Sequence, residues 1–293
     1  MKMFLLFILC FSAILMVKGQ DDLLKELNKQ ELPGTEYTFA TFNGTRVVNG
    51  QSVETKRMGE LEFIFSHRFG RINEGAYTLW GLDEAYVRLG LEYGITDRLG
   101  ISIGRTSVDK TFDGFVRYKI LRQLKGEKSF PFTITALANI YYKSSPSKED
   151  APEYNAQDRM AYGIQAVLAR KFSTKFSFQL NPVFIHRNTV DPVVENNDDV
   201  ALGFATRYKI TRSIALTGEY FLRLNETENS PYYDAIGFGI DIETGGHVFQ
   251  LIFTNSRGMF ERAVVAETEG DFFDGDIHFG FNISRTFQLA GKK

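Results

Sequence analysis

A dozen stretches of this chain alternate apolar with polar or small residues at a period of two, and no other feature constrains its fold as much. In "LGLEYGITDRLGISIGR" (89–105), Leu89, Leu91, Tyr93 and Ile95 oppose Gly90, Glu92 and Gly94. The pattern breaks at Thr96-Asp97-Arg98 and resumes, with Leu99, Ile101 and Ile103 opposing Gly100, Ser102 and Gly104. Successive side chains of a strand point to opposite faces, so both arms of this hairpin carry one apolar face. The runs lie near 58–69, 83–95, 99–108, 112–121, 130–143, 158–171, 175–187, 198–210, 213–225, 232–243, 246–256 and 275–288. Apart from a short polar stretch at 21–30 ("DDLLKELNKQ"), no convincing amphipathic helix is expected.

The connections between runs sort by parity. Tight ones (Thr96-Asp97-Arg98, Ser173-Thr174, Thr211-Arg212, Thr244-Gly245-Gly246, and the somewhat longer 122–129) alternate with longer polar ones at 70–82, 144–157, 188–197, 226–231 and 257–274. The link at Asp109-Lys110 is a short exception. A soluble sandwich has no reason to sort its loops in this way, whereas outer-membrane barrels have short turns at one end and long loops at the other. Closure also removes the open edges of so many antiparallel strands. The expected fold is therefore all-β, a closed antiparallel transmembrane β-barrel of about 12 strands. It carries a short N-terminal periplasmic or lumenal segment, and its apolar faces meet outer-membrane lipid. The mean hydropathy of −0.19 argues against a helical membrane protein but not against half-apolar strands. A net charge of −2 gives no basis for nucleic acid as a partner. Pro182 falls inside the seventh run and lacks the N–H a ladder needs, so a bulge is expected there.

Three segments follow. Residues 1–19 ("MKMFLLFILCFSAILMVKG") have a basic start, an apolar run and a small residue near the end, the form of a secretory signal cleaved near Gly19 or Gln20. The single cysteine, Cys10, lies within it, so the exported protein would hold no disulfide. Residues 20–57 form a periplasmic tether that includes "TRVVNGQSVET" (45–55). Val47, Val48 and Val53 flank Asn49-Gly50, the turn pair of a tight type I′ hairpin. That hairpin is either an added strand pair at the barrel mouth or a plug inside the lumen. Residues 58–293 are the barrel.

The same parity gives a set of lumen-lining charges: Glu60, Glu62, Arg68, Glu84, Arg88, Glu92, Asp113, Arg117, Lys119, Arg207, Lys209, Glu219, Arg223 and Asp241. They would either select solutes or neutralise one another as a lattice that holds a narrow barrel closed. Eight-stranded barrels fill with side chains and those of about 16 to 18 strands leave a channel, so twelve permits either. His67, His186, His247 and His278 do not fall at metal-ligand spacing, and no metal or other cofactor is expected. Ser66 and His67 supply the residue types of a hydrolase but point to opposite faces, and no G-x-S-x-G elbow is present, so no catalytic residue is assigned. The acidic loops, 257–274 above all, are expected to stay solvated.

The segments "SHRFG" (66–70), "GLDEAYVRLGLEYGITDRLGISIGR" (81–105), "HVFQLIFTNS" (247–256), "GFNISRTF" (280–287) and "TRVVNGQSVET" resemble an uncharacterised family of Bacteroidetes outer-membrane β-barrel proteins, domain-of-unknown-function family 5777. The resemblance runs from about Phe39 to Leu289 and implies a barrel in the outer membrane. It carries no ligand, reaction or assigned residue. The function expected from the residues is a narrow or gated conduit for small polar or charged solutes. The alternative is a non-conducting barrel that anchors or docks a periplasmic or surface protein, and a lipid hydrolase is the remote third reading.

Overall fold

A computed structural model describes residues 36–127, 129–145 and 155–290. The expected signal at 1–19, the first part of the tether and the acidic stretch 147–153 lie outside the described residues. Twelve strands form the barrel: β1 (Glu60–Arg71), β2 (Ala85–Gly94), β3 (Leu99–Thr106), β4 (Thr111–Leu121), β5 (Thr133–Lys143), β6 (Met160–Lys171), β7 (Phe176–Arg187), β8 (Asp198–Lys209), β9 (Ile214–Arg223), β10 (Ala235–Thr244), β11 (His247–Thr254) and β12 (His278–Gln288). Each pairs antiparallel with the next, and β12 closes on β1 through pairs such as Phe281 with His67 and Asn282 with Ser66. The closed antiparallel barrel expected from the alternation is the fold observed.

The period-two pattern sets which face goes where. Outward positions form an apolar belt that includes Leu89, Leu91, Ile103, Ile164, Phe238 and Leu251, all exposed. Aromatic residues concentrate at both rims of this belt. Tyr118, Phe172, Phe176, Tyr208 and Phe249 lie towards the tight turns, and Phe112, Tyr162, Phe253 and Phe279 towards the long loops. Such girdles mark the two edges of an apolar slab, where a ring can keep one side in each phase. Among the described residues no helix is long and apolar enough to cross a membrane.

Pro182 does not produce the bulge expected of it. Pairing between β6 and β7 resumes in unchanged register, with Gln165 opposite Val183 and Leu168 opposite Leu180. On the other side Pro182 faces Leu202 of β8 within a continuous ladder. The neighbouring pairs hold the strand in line, so the missing N–H leaves a local gap on the β6 side and does not shift the chain. Register shifts occur instead at His278/Gly280 in the closing pair and at Lys119/Leu121 between β4 and β5.

A second, small unit pairs Glu36–Tyr37 antiparallel with Leu124–Lys125, with Leu124 also bridging Phe130.

Candidate functional site: an occluded lumen

The hairpin at 45–52 lies inside the barrel and is not part of its wall. Arg46 bridges Gln51, the Val47 N–H donates to Gly50 O at 3.0 Å, and the Ser52 N–H donates to Thr45 O at 2.8 Å. The turn is not the expected type I′, because neither Asn49 nor Gly50 has a positive φ. Gly50 is needed here for close approach: a Cβ would sit 2.7 Å from the Phe221 ring and 3.0 Å from a Glu219 carboxylate oxygen. Gly237 plays the matching part on the wall, since a Cβ there would come within 2.7 Å of Val48. Gly237 thus helps seat the hairpin, while other lumenal glycines, such as Gly90 and Gly104 beside Arg88, make room for the wall's own side chains.

Polar groups of the wall hold the hairpin by its backbone. Glu219 accepts from the Asn49 and Gly50 N–H groups at 3.0 and 2.9 Å, and from that of Val48 at 3.4 Å. Gln179 receives the Val53 N–H at 3.1 Å and donates to Gln51 O at 2.8 Å. The Gln250 and Asn282 amides donate to Val47 O and Val48 O at 2.9 and 3.1 Å. Thr135 donates to Val53 O at 3.0 Å, Arg207 to Ala40 O and Thr41 O at 3.1 Å each, and Arg117 to Gln51 and Glu54 O. Beneath these bonds Phe42, Val47, Val48 and Val53 pack against Phe115, Leu137, Val167, Ala205 and Ile252.

The loop after β11 closes the lumen from the long-loop side. Sequence patterning gives it as a solvated acidic loop, but its six-residue helix α1 (Glu261–Ala266) is wholly buried. The apolar residues decide this. Phe260, Val264 and Val265 join Tyr141, Val183, Ile185 and Phe221 in a second core. One ion pair links the two insertions: the Arg46 guanidinium donates to the Glu261 carboxylate at 3.0 Å and also to Asn49 O at 2.8 Å. Neither partner is apparent from sequence, because both lie outside the alternating runs.

Of the charges expected to line the lumen, most are buried there. Arg88 and Asp113 face each other in a two-bond pair, with Nε to Oδ1 at 2.9 Å, and Arg117 lies 3.1 Å from Glu92. Glu62 takes Lys56 at 2.7 Å and the Thr45 hydroxyl at 2.7 Å, and Lys119 lies 3.9 Å from Glu54. Arg68 reaches Asn49 at 2.9 Å and Asn282 at 3.1 Å. Asp241 receives the Gln250 amide at 2.8 Å. Arg223 sits at the long-loop mouth, donating to Tyr232 O at 2.8 Å. Glu60 and Lys209 lie at the tight-turn rim, where Glu60 accepts the Arg57 N–H at 2.8 Å. Glu84 is a correction: it precedes β2 in an outer loop, is exposed, and accepts from the Tyr86 hydroxyl at 2.8 Å. The strand begins at Ala85, two residues after the start of the alternating run, so parity does not apply to Glu84.

The same alternation places the uncharged Gln165, Gln179, Asn181 and Asn282 on the lumenal face, where the structure has them buried. Asn139, Gln165 and Asn181, on β5, β6 and β7, prove unusual. Each is buried, and neither the oxygen nor the nitrogen of any of the three carboxamides has a hydrogen-bond partner in the protein. An unpaired buried polar group costs roughly 1–3 kcal/mol. His278 is a paired lumenal filler, its Nδ1 2.8 Å from Phe69 O. His67 points out of the barrel and stacks on Phe281 with ring centroids 5.2 Å apart, away from Ser66.

Two cavities flank the occluded stretch. At the tight-turn rim one of about 620 Å³ is lined by Thr38–Gly44, Glu54–Arg57, Lys119 and Arg122. At the long-loop mouth one of about 410 Å³ is lined by Lys143, Arg159, Arg187, Arg257, Arg262, Glu195 and Glu267, among others. There Arg262 and Arg187 hold Glu267 at 2.9 and 3.7 Å. Burial alone would raise the Glu267 carboxyl, but these two guanidiniums outweigh it and hold it below the usual carboxylate range.

The family described as a membrane bound beta barrel domain of unknown function (DUF5777) matches residues 42–287. That span takes in the hairpin and all twelve strands. No curated protein sequence matches the chain. Among solved structures, the KdgM porin is 9% identical and covers 77% of this chain and 99% of its own at a TM-score of 0.48. The COG4313 outer membrane channel from Pseudomonas putida F1 is 13% identical and covers 82% and 100% at a TM-score of 0.46. A mutant of Rh. blastica porin is 12% identical and covers 69% and 55% at a TM-score of 0.33.

Proposed function

The chain belongs to this family of membrane bound β-barrels, and on that premise we propose that it is a gated conduit of an outer membrane for small polar or charged solutes, with the closed state described above. The tight turns then face the periplasm, as in outer-membrane barrels generally. The hairpin enters from that side, after a signal at residues 1–19 has directed export.

One observation carries the reading. The barrel closes β12 on β1 without the hairpin, and among the described residues no hairpin residue belongs to a barrel ladder. The hairpin can therefore leave without breaking a single strand pair. The bonds that hold it come from Glu, Gln, Asn, Arg and Thr side chains, which water can replace. A fixed core segment would instead be held by ladder bonds that water cannot enter. The occupation of the lumen from both ends, latched by Arg46 and Glu261, favours the second reading, a permanently closed barrel that anchors or docks another protein.

A disulfide lock separates the two. A Cβ at position 237 lies 3.4 Å from the Val48 Cβ, close to the roughly 3.5–4.5 Å of a disulfide. Val48→Cys/Gly237→Cys would pin the hairpin to β10 in a mature chain that otherwise lacks cysteine. Ion conductance in planar bilayers is expected from the wild type and from the reduced variant, and not from the oxidised one. Silence in all three would favour the anchor.

A further inference from the structure

We propose that Asn139, Gln165 and Asn181 form a binding subsite for an uncharged, hydroxyl-rich solute, a sugar or short oligosaccharide, on the wall that the hairpin and the inserted loop uncover when both withdraw. This rests on the conduit reading and names its solute class. The three side chains are 6%, 5% and 2% exposed, and all six of their polar atoms are unpaired. They follow one another on consecutive strands. Gln165 stands opposite Leu137 and Val183. Asn139 lies one lumenal position from Leu137 towards the long loops, and Asn181 one from Val183 towards the tight turns. The result is a diagonal row at mid-height of the wall.

The chemistry of the row selects its occupant. Each carboxamide offers two donors and an acceptor oxygen in one plane, which matches neighbouring hydroxyls that both donate and accept. No charge belongs to the row, so an ion stripped of water there would find no counter-charge. Leu137 and Val183 alternate with the amides and present apolar surface to the C–H faces of a sugar ring. Tyr141, one lumenal position beyond Asn139, adds an aromatic ring whose hydroxyl is also unpaired. The nearest lumenal charges, Arg117 opposite Leu137 and Asp113 opposite Tyr141, are each matched by a neighbour in the wall, Glu92 and Arg88.

The test uses the full-length mature protein carrying Glu219→Ala/Glu261→Ala, which frees the hairpin and breaks its ion pair to the inserted loop, in planar bilayers. Ion current is recorded first, then maltotriose or trigalacturonate is added. Maltotriose is expected to interrupt the current in resolvable blocks, and trigalacturonate is not. Asn139→Leu/Gln165→Leu/Asn181→Leu should shorten those blocks about tenfold or more, the loss expected when two or more hydrogen bonds are removed. Heat-modifiable gel migration checks that this variant folds; if it does not, Gln165→Met alone should still shorten the blocks. Blocks of unchanged length in the variant that folds, or blocks by the charged trimer alone, would overturn the subsite while leaving the conduit intact. Absence of ion current in the Glu219→Ala/Glu261→Ala protein would overturn the conduit and the subsite with it.

Discussion

The lumen has two walls built on the same strand alternation and finished in opposite ways. On β1 to β4 the buried groups are charged and matched: Arg88 closes on Asp113, Arg117 on Glu92, and Glu62 on Lys56. On β5 to β7 the mid-height groups are neutral amides with no partner. The first wall is matched charge to charge, yet both Glu92 carboxylate oxygens and the Nε atoms of Arg117 and Arg68 make no hydrogen bond there. The second has neither ion pairs nor hydrogen bonds for its amides until water or a solute reaches them. Occlusion therefore leaves hydrogen bonds unmade on both walls, and only the first is compensated by opposite charge. Opening recovers bonds on β5 to β7 without disturbing an ion pair.

The contrast predicts opposite responses to removing polar groups. Arg88→Ala leaves Asp113 as a buried unpaired charge and is expected to destabilise the barrel by about 3–5 kcal/mol. The double variant Arg88→Met/Asp113→Leu should recover most of that loss, as measured by urea unfolding in lipid vesicles. Gln165→Leu removes two unpaired atoms from a packed wall and is expected to leave stability unchanged or to raise it by up to about 1–3 kcal/mol. Comparable losses at Arg88 and Gln165 would erase the distinction between the walls.

The strands and the direction of every side chain on them could be read from alternation, because a period of two leaves no freedom once one face is apolar. Leu89 and Ile164 face outward and Arg88 and Gln165 inward, as their parity requires. Alternation does not report what fills the lumen. "TRVVNGQSVET" has the residues of a hairpin, but whether it joins the wall or enters the lumen depends on contacts with Glu219, Gln179 and Gln250, more than a hundred residues away. The loop at 257–274 is misleading for a related reason. Its acidic residues suggest solvent, yet Phe260, Val264 and Val265 complete a core whose wall members lie on the six strands β5 to β10. Glu84 shows the limit at strand ends, where one residue's difference in the boundary takes a side chain out of the parity rule.

The smallest expected effect is one of pH, and it bears on the long-loop mouth where the two walls meet the inserted loop. The Glu267 carboxyl is held below its ordinary value of 4.5, so folding is favoured whenever it is ionised. That contribution is fully present above the ordinary value and is lost as pH falls through the lowered one. Glu267 remains 21% exposed, and solvent screening limits its bonds to Arg262 and Arg187 to about 1 kcal/mol or less. Acidification below about pH 4.5 is expected to loosen the loop that carries α1 and to raise the open fraction of the conduit by a few-fold at most. Glu267→Gln should show that raised fraction at neutral pH and lose this part of the pH dependence. An acid response of the same size in both proteins would place the sensitive group elsewhere. A response confined to the wild type would make the Glu267 contact with Arg262 and Arg187 a brake on the inserted loop, acting from the mouth on a lumen whose neutral wall already favours release.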